Sequence, residues 1–199
     1  MKKFLTSSFT KLVLAALALG MGAHVYGGPV SVNTFYQFGF AEAGSFATGC
    51  DPDDPSGGFC LSSSGTPTQF LDAPPWTFTA PDTGVRLIVT DAFTAGDQFQ
   101  VFDFGVSLGF TSAPIGSDDC GDDPVPCLAD PSISKAVFVL APGDHSITIL
   151  TSLSLDGGGS GYLNATAVPE PATMLLLGTG LAATSGALRR RHRKKSARG

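Results

Sequence analysis

The sequence predicts an all-β protein, with about seven or eight strands packed as a single β-sandwich domain. Between residues 28 and 167, no stretch keeps a helical period of apolar residues over several turns. Short runs rich in Phe, Val, Ile and Thr recur there instead, and Gly, Pro and Asp separate them. A jelly-roll-like arrangement, which also packs two sheets, is typical of the same pattern.

The predicted strands are short, and their apolar residues indicate which faces are buried. In "VRLIVTDAF", Val85, Leu87 and Val89 alternate with other residues and form one apolar face. "QFQVFDF" has apolar residues on both faces, which predicts burial on both sides. The strands are predicted at Ser31–Phe40, Trp76–Ala80, Val85–Phe93, Phe99–Phe104, Val106–Phe110, Lys135–Leu140, Ser146–Thr151 and Tyr162–Val168.

Two longer segments, residues 44–75 and 112–132, predict irregular surface regions. They are rich in Gly, Ser, Asp and Pro, and each contains two of the four cysteines. Four cysteines allow three disulfide pairings. Because short loops of this composition close easily, we favour the local pairs Cys50–Cys60 and Cys120–Cys127. Their spacing fits no common zinc motif, so zinc is not expected.

The N-terminus predicts a signal helix for export. A lysine-rich start precedes the apolar run Leu12–Ala23, and small residues follow. This run is short for a membrane span, which needs roughly 20 apolar residues. We therefore assign residues 1–27 to a signal peptide and residues 28–167 to a secreted β-sandwich domain.

The charge of the chain is unevenly distributed. The whole chain has a net charge of −5. From Gly28 to Val168, only Arg86 and Lys135 are basic whereas sixteen residues are acidic, which gives a net charge of −14. A domain this acidic repels nucleic acid, so a nucleic-acid-binding function is excluded.

Signatures of an enzyme are weak. "GVSLG" at Gly105–Gly109 matches the G-x-S-x-G pattern of serine hydrolases, which requires a strand–turn–helix. Strands are predicted on both sides here, so Ser107 is predicted to lie in a bulge or a hairpin. His145 follows a Pro-Gly-Asp turn and is predicted to be a surface turn residue rather than a general base. We predict no enzyme and no catalytic residue.

Two clusters of aspartates are candidate calcium ligands, because calcium binds carboxylate and carbonyl oxygens held by a stiff loop. Neither cluster matches the D-x-D-x-D-G calcium loop, so solvated turn residues are the simpler interpretation. No cofactor is predicted apart from calcium as an option. The candidates are Asp51, Asp53 and Asp54 in the first cysteine loop and Asp118, Asp119, Asp122 and Asp123 in the second.

A carbohydrate-binding surface needs exposed aromatic rings. Trp76 is the only tryptophan, and it follows two prolines at the start of a predicted strand. Packing in the core or anchoring of a loop is its favoured role, since large aromatic side chains dominate core energetics.

At the C-terminus, a Pro-Glu-Pro triplet, an apolar stretch and an arginine cluster follow one another. The apolar stretch of roughly 17 residues is at the short limit for a transmembrane helix, and the arginines predict that its end stays cytoplasmic. Prolines on both sides of the glutamate keep the triplet extended. The three parts are Pro169-Glu170-Pro171, Ala172–Leu188 and the residues Arg189, Arg190 and Arg191.

In this order, these features resemble the PEP-CTERM sorting signal, here over residues 168–195. The resemblance implies that an exosortase, a membrane cysteine transpeptidase, processes the chain near the triplet. It also implies a Gram-negative producer of exopolysaccharide. "GDQFQVFDFGVSLGFTS" and "PGDHSITI" are similar to stretches of uncharacterised secreted PEP-CTERM proteins, which implies a β-sandwich and no known activity.

We therefore expect an exported, surface-sorted structural or binding protein of the cell envelope or exopolysaccharide matrix. Its expected partners are an exosortase-type enzyme, the inner membrane before processing and, as an option, exopolysaccharide. The alternative is a secreted carbohydrate-active enzyme. The two differ at Ser107 and His145, which converge in a pocket in an enzyme and lie apart in a matrix protein.

Overall fold

The computed structural model describes residues 28–50, 60–169 and 179, and about half of these residues belong to two β-sheets. The all-β prediction is confirmed, whereas the jelly-roll connectivity stays a prediction. The elements are β1 (Phe35–Ala41), β2 (Thr68–Phe70), β3 (Trp76–Ala80), β4 (Val85–Asp91), β5 (Gln98–Asp103), β6 (Val106–Phe110), α1 (Pro124–Ala129), β7 (Lys135–Leu140), β8 (Gly143–Leu153) and β9 (Gly158–Ala167).

One sheet has the strand order β2-β1-β9-β4-β7 and the other has the order β3-β8-β5-β6. Neighbouring strands are antiparallel, except that β1 and β2 are parallel. The central strand β9 pairs with both β1 and β4, so that Leu163 lies opposite Tyr36 on one side and Val89 on the other. The last strand before the C-terminal segment is therefore held on both edges.

The core between the two sheets is built around aromatic rings. Phe38 packs against Trp76 with ring centroids 5.6 Å apart and against Phe99 at 5.4 Å. Trp76 is fully buried, and its Nε1–H donates to the carbonyl oxygen of Asp72 at 2.7 Å. The predicted core role of Trp76 is confirmed, and the alternation predicted for Val85, Leu87 and Val89 buries all three side chains.

Two short elements were not predicted, because neither leaves a periodic pattern in the sequence. The three residues of β2 become a strand by parallel pairing with β1. Helix α1 lies within the segment predicted to be irregular. Its first position is Pro124, and the Asp123 side chain caps it by accepting from the Val125 amide at 3.0 Å. A proline and an acidic cap favour a helix start.

The predicted two-sided burial of "QFQVFDF" is wrong. Phe99 and Val101 are fully buried in the core, but Phe102 is only half-buried and Phe104 is 66% exposed. The reason is that β5 packs on the opposing sheet with one face only. Phe104 lies beyond the end of β5, in the turn to β6.

A second, smaller core lies on the outer side of the five-stranded sheet, where the segment 112–132 covers it. Tyr162 and Ile133 are fully buried there, together with Cys127. The Tyr162 hydroxyl donates to the carbonyl oxygen of Asp122 at 2.6 Å. Both favoured disulfides are present, Cys50–Cys60 with Cα atoms 5.6 Å apart and Cys120–Cys127 with Cα atoms 4.9 Å apart.

Replacing both Cys120 and Cys127 by alanine should lower the free energy of unfolding by about 2–3 kcal/mol. The reason is that the unfolded chain gains conformational entropy when the disulfide no longer closes this loop. Hydrogen exchange should increase first in residues 112–132 and only later in β9. Mild reduction of the wild-type protein should reproduce this order, and earlier exchange in β9 would contradict it.

At the sandwich end where β4 finishes, two carboxylates are buried close together. Asp91 is fully buried and Asp97 is 6% exposed. Burial and the charge of Asp97 raise the pKa of Asp91 to about 8. Burial also raises the pKa of Asp97, and the nearby charge of Asp156 adds to the effect. Two negative charges at this place are therefore unfavourable.

Candidate functional site on the outer face of the four-stranded sheet

The outer face of the four-stranded sheet is partly exposed, and the side chains at its centre are uncharged. Along β5 and β8, residues that alternate with the core residues point away from the core. Apart from Asp144, near the start of β8, these side chains are uncharged. The uncharged residues are Gln98, Gln100, Phe102, Ser146, Thr148, Leu150 and Ser152.

Three phenylalanine rings lie on this face. Phe46, from the segment that follows β1, forms a bridge with Leu150 and remains 57% exposed. Its ring centroid lies 6.4 Å from that of Phe102. Phe110 on β6 lies opposite Gln100 and is 53% exposed. Apolar rings gathered on an open face are typical of an interaction surface.

Hydrogen-bonding groups lie beside the rings. Gln100 Nε2 donates to Ser107 Oγ at 2.9 Å, and Ser107 lies opposite Phe102 in the register of β5 and β6. The amide and the hydroxyl can each donate and accept hydrogen bonds. The face therefore combines apolar rings with polar groups that suit a ligand rich in hydroxyls.

A cleft of about 630 Å³ continues this face toward the end of the sheet. Thr77 and Thr79 of β3 line one side, and Phe104, Asp144 and Ser146 also contribute to the lining. The Thr79 hydroxyl donates to Asp144 Oδ1 at 2.7 Å. This volume lies within the range of roughly 300–1,000 Å³ that is usual for ligand pockets.

Phe104, at the edge of the cleft, has an unusual backbone conformation. With Gly105 it forms the two-residue turn between β5 and β6, and both residues have positive φ, 47° and 77°. Turns of this kind favour Asn, Asp or Gly at the first position, so phenylalanine is strained there. A strained and exposed aromatic residue points to a functional role.

His145 is buried rather than a surface turn residue, so that prediction is wrong. Strand β8 begins at Gly143, earlier than predicted, and the alternation then turns His145 toward the core. Its Nδ1 lies 2.7 Å from Asp103 Oδ2, and its Nε2 lies 2.9 Å from the carbonyl oxygen of Ala141. Asp103 also accepts from the Ser146 amide at 2.9 Å. The pair connects the end of β5 with the start of β8 at this end of the sheet.

Ser107 and His145 do not form a nucleophile–base pair within the described part of the chain. Both ring nitrogens of His145 have other partners, and the Ser107 hydroxyl accepts from Gln100. "GVSLG" forms a hairpin with β5, with a shift of register between Val101 and Phe102, which confirms the predicted hairpin or bulge. The absence of enzymatic activity stays a prediction.

The aspartates of the second cysteine loop hold local structure. Asp119 accepts from the Gly121 amide at 2.8 Å and Asp122 accepts from the Ser64 hydroxyl at 2.6 Å. Asp123 accepts from the amides of Val125 and Thr66, each at 3.0 Å, and these bonds lower its pKa. The side chains thus connect the loop to residues 64–66.

No three acidic, histidine or cysteine side chains of the described residues lie close enough together to hold one metal ion. Asp118 is exposed, whereas Asp51, Asp53 and Asp54 lie outside the residues that the structure describes. Calcium at either loop stays a prediction.

The chain leaves the domain at the end of β9. The Val168 amide donates to the carbonyl oxygen of Gly84 at 3.2 Å, and Pro169 is exposed. Apart from residue 179, the predicted transmembrane helix at 172–188 lies outside the described residues. The predicted signal helix and the motif residues Glu170, Pro171, Arg189, Arg190 and Arg191 also lie outside them. No helix within the described ranges is long and apolar enough to cross a membrane.

A family model of the PEP-CTERM protein-sorting motif matches residues 167–191. The chain carries a PEP-CTERM sorting signal. The match includes the Pro-Glu-Pro triplet and the three arginines predicted to form the sorting signal. A PEP-CTERM signal implies export, transient anchoring in a membrane and processing by an exosortase-type partner. No curated protein and no solved structure matches the chain.

The PEP-CTERM signal begins where the sheet ends. Residue 167, the first that the family model matches, is also the last residue of β9 and lies opposite Val85. The structure therefore places the exposed Pro169 two residues beyond a central strand, at the end of the sandwich that also carries the His145–Asp103 pair.

The aromatic residues of the outer face were not predicted, because tryptophan was the expected marker of a carbohydrate-binding surface and phenylalanines were expected in the core. The sequence of β5 does indicate that Phe102 points away from the core. Phe99 and Val101 already define the inward face of β5, so Phe102 had to point outward. Phe46 lies in a segment rich in Gly and Ser, where no core strand was predicted.

Proposed function

We propose that the exported domain is a non-catalytic binding protein for an uncharged polysaccharide of the cell envelope or extracellular matrix. The observation that supports this most is the outer face of the four-stranded sheet, where exposed phenylalanine rings lie beside Gln and Ser groups. The PEP-CTERM signal supports surface sorting. Delivery to a cell surface or matrix is part of the proposal.

The chemistry of sugars fits this face. A pyranose ring has apolar C–H groups on its faces and hydroxyls around its edge. Aromatic rings bind the apolar faces, and amides and hydroxyls exchange hydrogen bonds with the edge. Phe46 and Phe102 supply neighbouring rings, and Gln100 and Ser107 supply the polar groups beside them.

The negative charge of the domain restricts the kind of polysaccharide that it can bind. A net charge of −14 repels polyanions over a distance comparable with the Debye length, about 8 Å at physiological ionic strength. The centre of the face carries no charge that would compensate for it. A polymer without carboxylate or phosphate groups is therefore the favoured ligand class.

The alternative function, a carbohydrate-active enzyme, is less well supported than binding. Carbohydrate-active enzymes commonly use two carboxylates that flank the scissile bond. The acidic side chain that lines the cleft is Asp144, and its Oδ1 accepts from Thr79. A binding role requires no catalytic pair, so it agrees better with the side chains that are present.

Replacing Phe102 by alanine should weaken binding to uncharged polysaccharides about tenfold, since an aromatic contact of this kind contributes about 1 kcal/mol or slightly more. Phe46→Ala and Phe110→Ala should have similar effects. Binding is measured by retardation in native gels that contain neutral glucans, galactans or mannans, with a detergent that lacks a sugar headgroup.

The matched control is Val139→Ala, which removes an apolar side chain that is 78% exposed on β7 of the other sheet. It should bind as the wild type does. The proposal fails if no uncharged polymer retards the wild-type protein, or if the control loses as much binding as the phenylalanine variants.

A further inference from the structure

A buried acidic site lies at the sandwich end opposite to the PEP-CTERM signal. Asp91 ends β4 and pairs with Gly161 near the start of β9, whereas the signal follows the other end of β9. The loop from Asp91 to Asp97 folds back on itself. The Ala92 and Asp97 amides donate to the two carboxylate oxygens of Asp91, at 2.9 and 3.2 Å.

Two buried oxygens at this place lack a partner. Asp97 Oδ1 and Ser154 Oγ are both inaccessible to solvent. The Ser154 hydroxyl lies near the Asp97 carboxylate, but neither atom makes a hydrogen bond of normal length and angle with a described residue. Asp97 as a whole is 94% buried, since only 6% of it is exposed. Buried polar atoms are nearly always bonded, so an unpartnered carboxylate oxygen indicates a missing ligand.

The groups come from two different loops. Asp91 and Asp97 flank the β4–β5 loop, and Ser154 is the first residue after β8, in the loop to β9. The Ser154 hydroxyl lies beside the Asp97 carboxylate. The loops also meet at Gly96, where a Cβ would lie 3.4 Å from the Leu155 side chain. An ion held here would connect the two loops.

We propose that Asp91, Asp97 and Ser154 bind one calcium ion, which ties the β4–β5 loop to the β8–β9 loop. All three ligands are oxygens, and calcium prefers oxygen ligands and accepts irregular geometries. It takes about six to eight oxygens, so water completes the shell. Asp156, exposed in the β8–β9 loop, adds negative charge close to Asp97.

This site is distinct from the two aspartate-rich cysteine loops and does not depend on the proposed polysaccharide binding. An export compartment or cell surface exposes the domain to free calcium. At a calcium concentration one hundred times the Kd, linkage predicts that the melting temperature rises by about 5–10 °C for a domain of this size.

The test uses the full chain in detergent, with calcium titrated calorimetrically and thermal unfolding measured in calcium and in EGTA. Asp97→Asn keeps the shape of the side chain and removes its charge. It should weaken calcium binding at least tenfold and abolish the thermal shift, while its melting temperature in EGTA equals or exceeds that of the wild type. This combination separates loss of a ligand from loss of folding.

Ser154→Ala should weaken calcium binding severalfold without abolishing it. The matched control is Asp82→Asn, which removes an exposed aspartate from the turn before β4 and should leave the calcium response unchanged. The proposal is overturned if calcium gives neither heat nor a thermal shift. It is also overturned if Asp97→Asn keeps the full response or if Asp82→Asn abolishes it.

Discussion

Replacing Arg189, Arg190 and Arg191 together by alanine should prevent C-terminal processing of the protein in its native host. The three arginines close the segment that the PEP-CTERM family model matches. Positive charge at the cytoplasmic end of an apolar segment halts export and sets its orientation. With the three arginines replaced, the nearest basic residue is Arg193 and the uncharged segment is longer. The Pro-Glu-Pro triplet is then no longer held at the outer boundary of the membrane, where a membrane-bound processing enzyme would reach it. We expect the processed form to fall at least tenfold, as measured by intact mass spectrometry.

The control removes the same amount of charge outside the matched segment. Arg193, Lys194 and Lys195 lie beyond residue 191, so their joint replacement by alanine should leave processing intact. Glu170→Ala provides an independent variant of the triplet and should also accumulate unprocessed. A wild-type product that retains the chain through Arg191 would show an ordinary membrane anchor and would contradict the sorting hypothesis.

The folded domain ends close to the PEP-CTERM signal. Only Val168 separates the end of β9 from Pro169, and its amide is bonded to Gly84. An enzyme that binds the triplet must therefore approach the folded sandwich closely. We therefore expect processing to be sensitive to the sandwich end that the turns before β4 and β8 form, as well as to the motif itself.

Much of the fold could be predicted because the strands obey simple alternation. Val85, Leu87 and Val89 identify the buried face of β4 without any knowledge of the rest of the chain. The boundaries predicted for Trp76–Ala80, Val106–Phe110 and Lys135–Leu140 agree with those of β3, β6 and β7. In each of these segments, turn-forming residues flank a short apolar run, so local signals suffice.

The predictions for His145 and for the outer face of β5 were wrong because contacts between distant parts of the chain determine burial at these places. His145 follows a strong turn signal, but β8 extends three residues further on its N-terminal side because β3 pairs with it as far as Gly143. That extension turns the imidazole inward, toward Asp103. Likewise, nothing local in "QFQVFDF" shows that the outer face of β5 is left open, since this depends on which elements pack above it.

The candidate site was the least predictable part of the molecule. Phe46 and Phe102 are more than fifty residues apart in sequence, and their rings meet only because the segment after β1 pairs with β8. The buried pair Asp91 and Asp97 was hidden for a related reason. A sequence shows two acids near a turn, but burial by the β8–β9 loop distinguishes them from solvated turn residues.

Trp76→Ala should lower the free energy of unfolding by about 3–5 kcal/mol, the largest stability loss that we expect from a single substitution. The indole is fully buried between the sheets, packs on Phe38 and bonds to the carbonyl oxygen of Asp72. Its removal leaves a cavity and an unpaired carbonyl at the start of β3. Because Thr77 and Thr79 of the same strand line the cleft, polysaccharide binding should weaken together with stability.

Trp76→Phe distinguishes the two contributions, because it keeps an aromatic ring in the core and loses the indole N–H. The loss of that hydrogen bond should cost about 1 kcal/mol, and the smaller ring adds a packing loss that is still well below that of alanine. Urea unfolding followed by circular dichroism measures both variants, since each removes the only tryptophan and its fluorescence. Equal losses for the two variants would show that the bond to Asp72, rather than packing against Phe38, holds β3 in the sandwich.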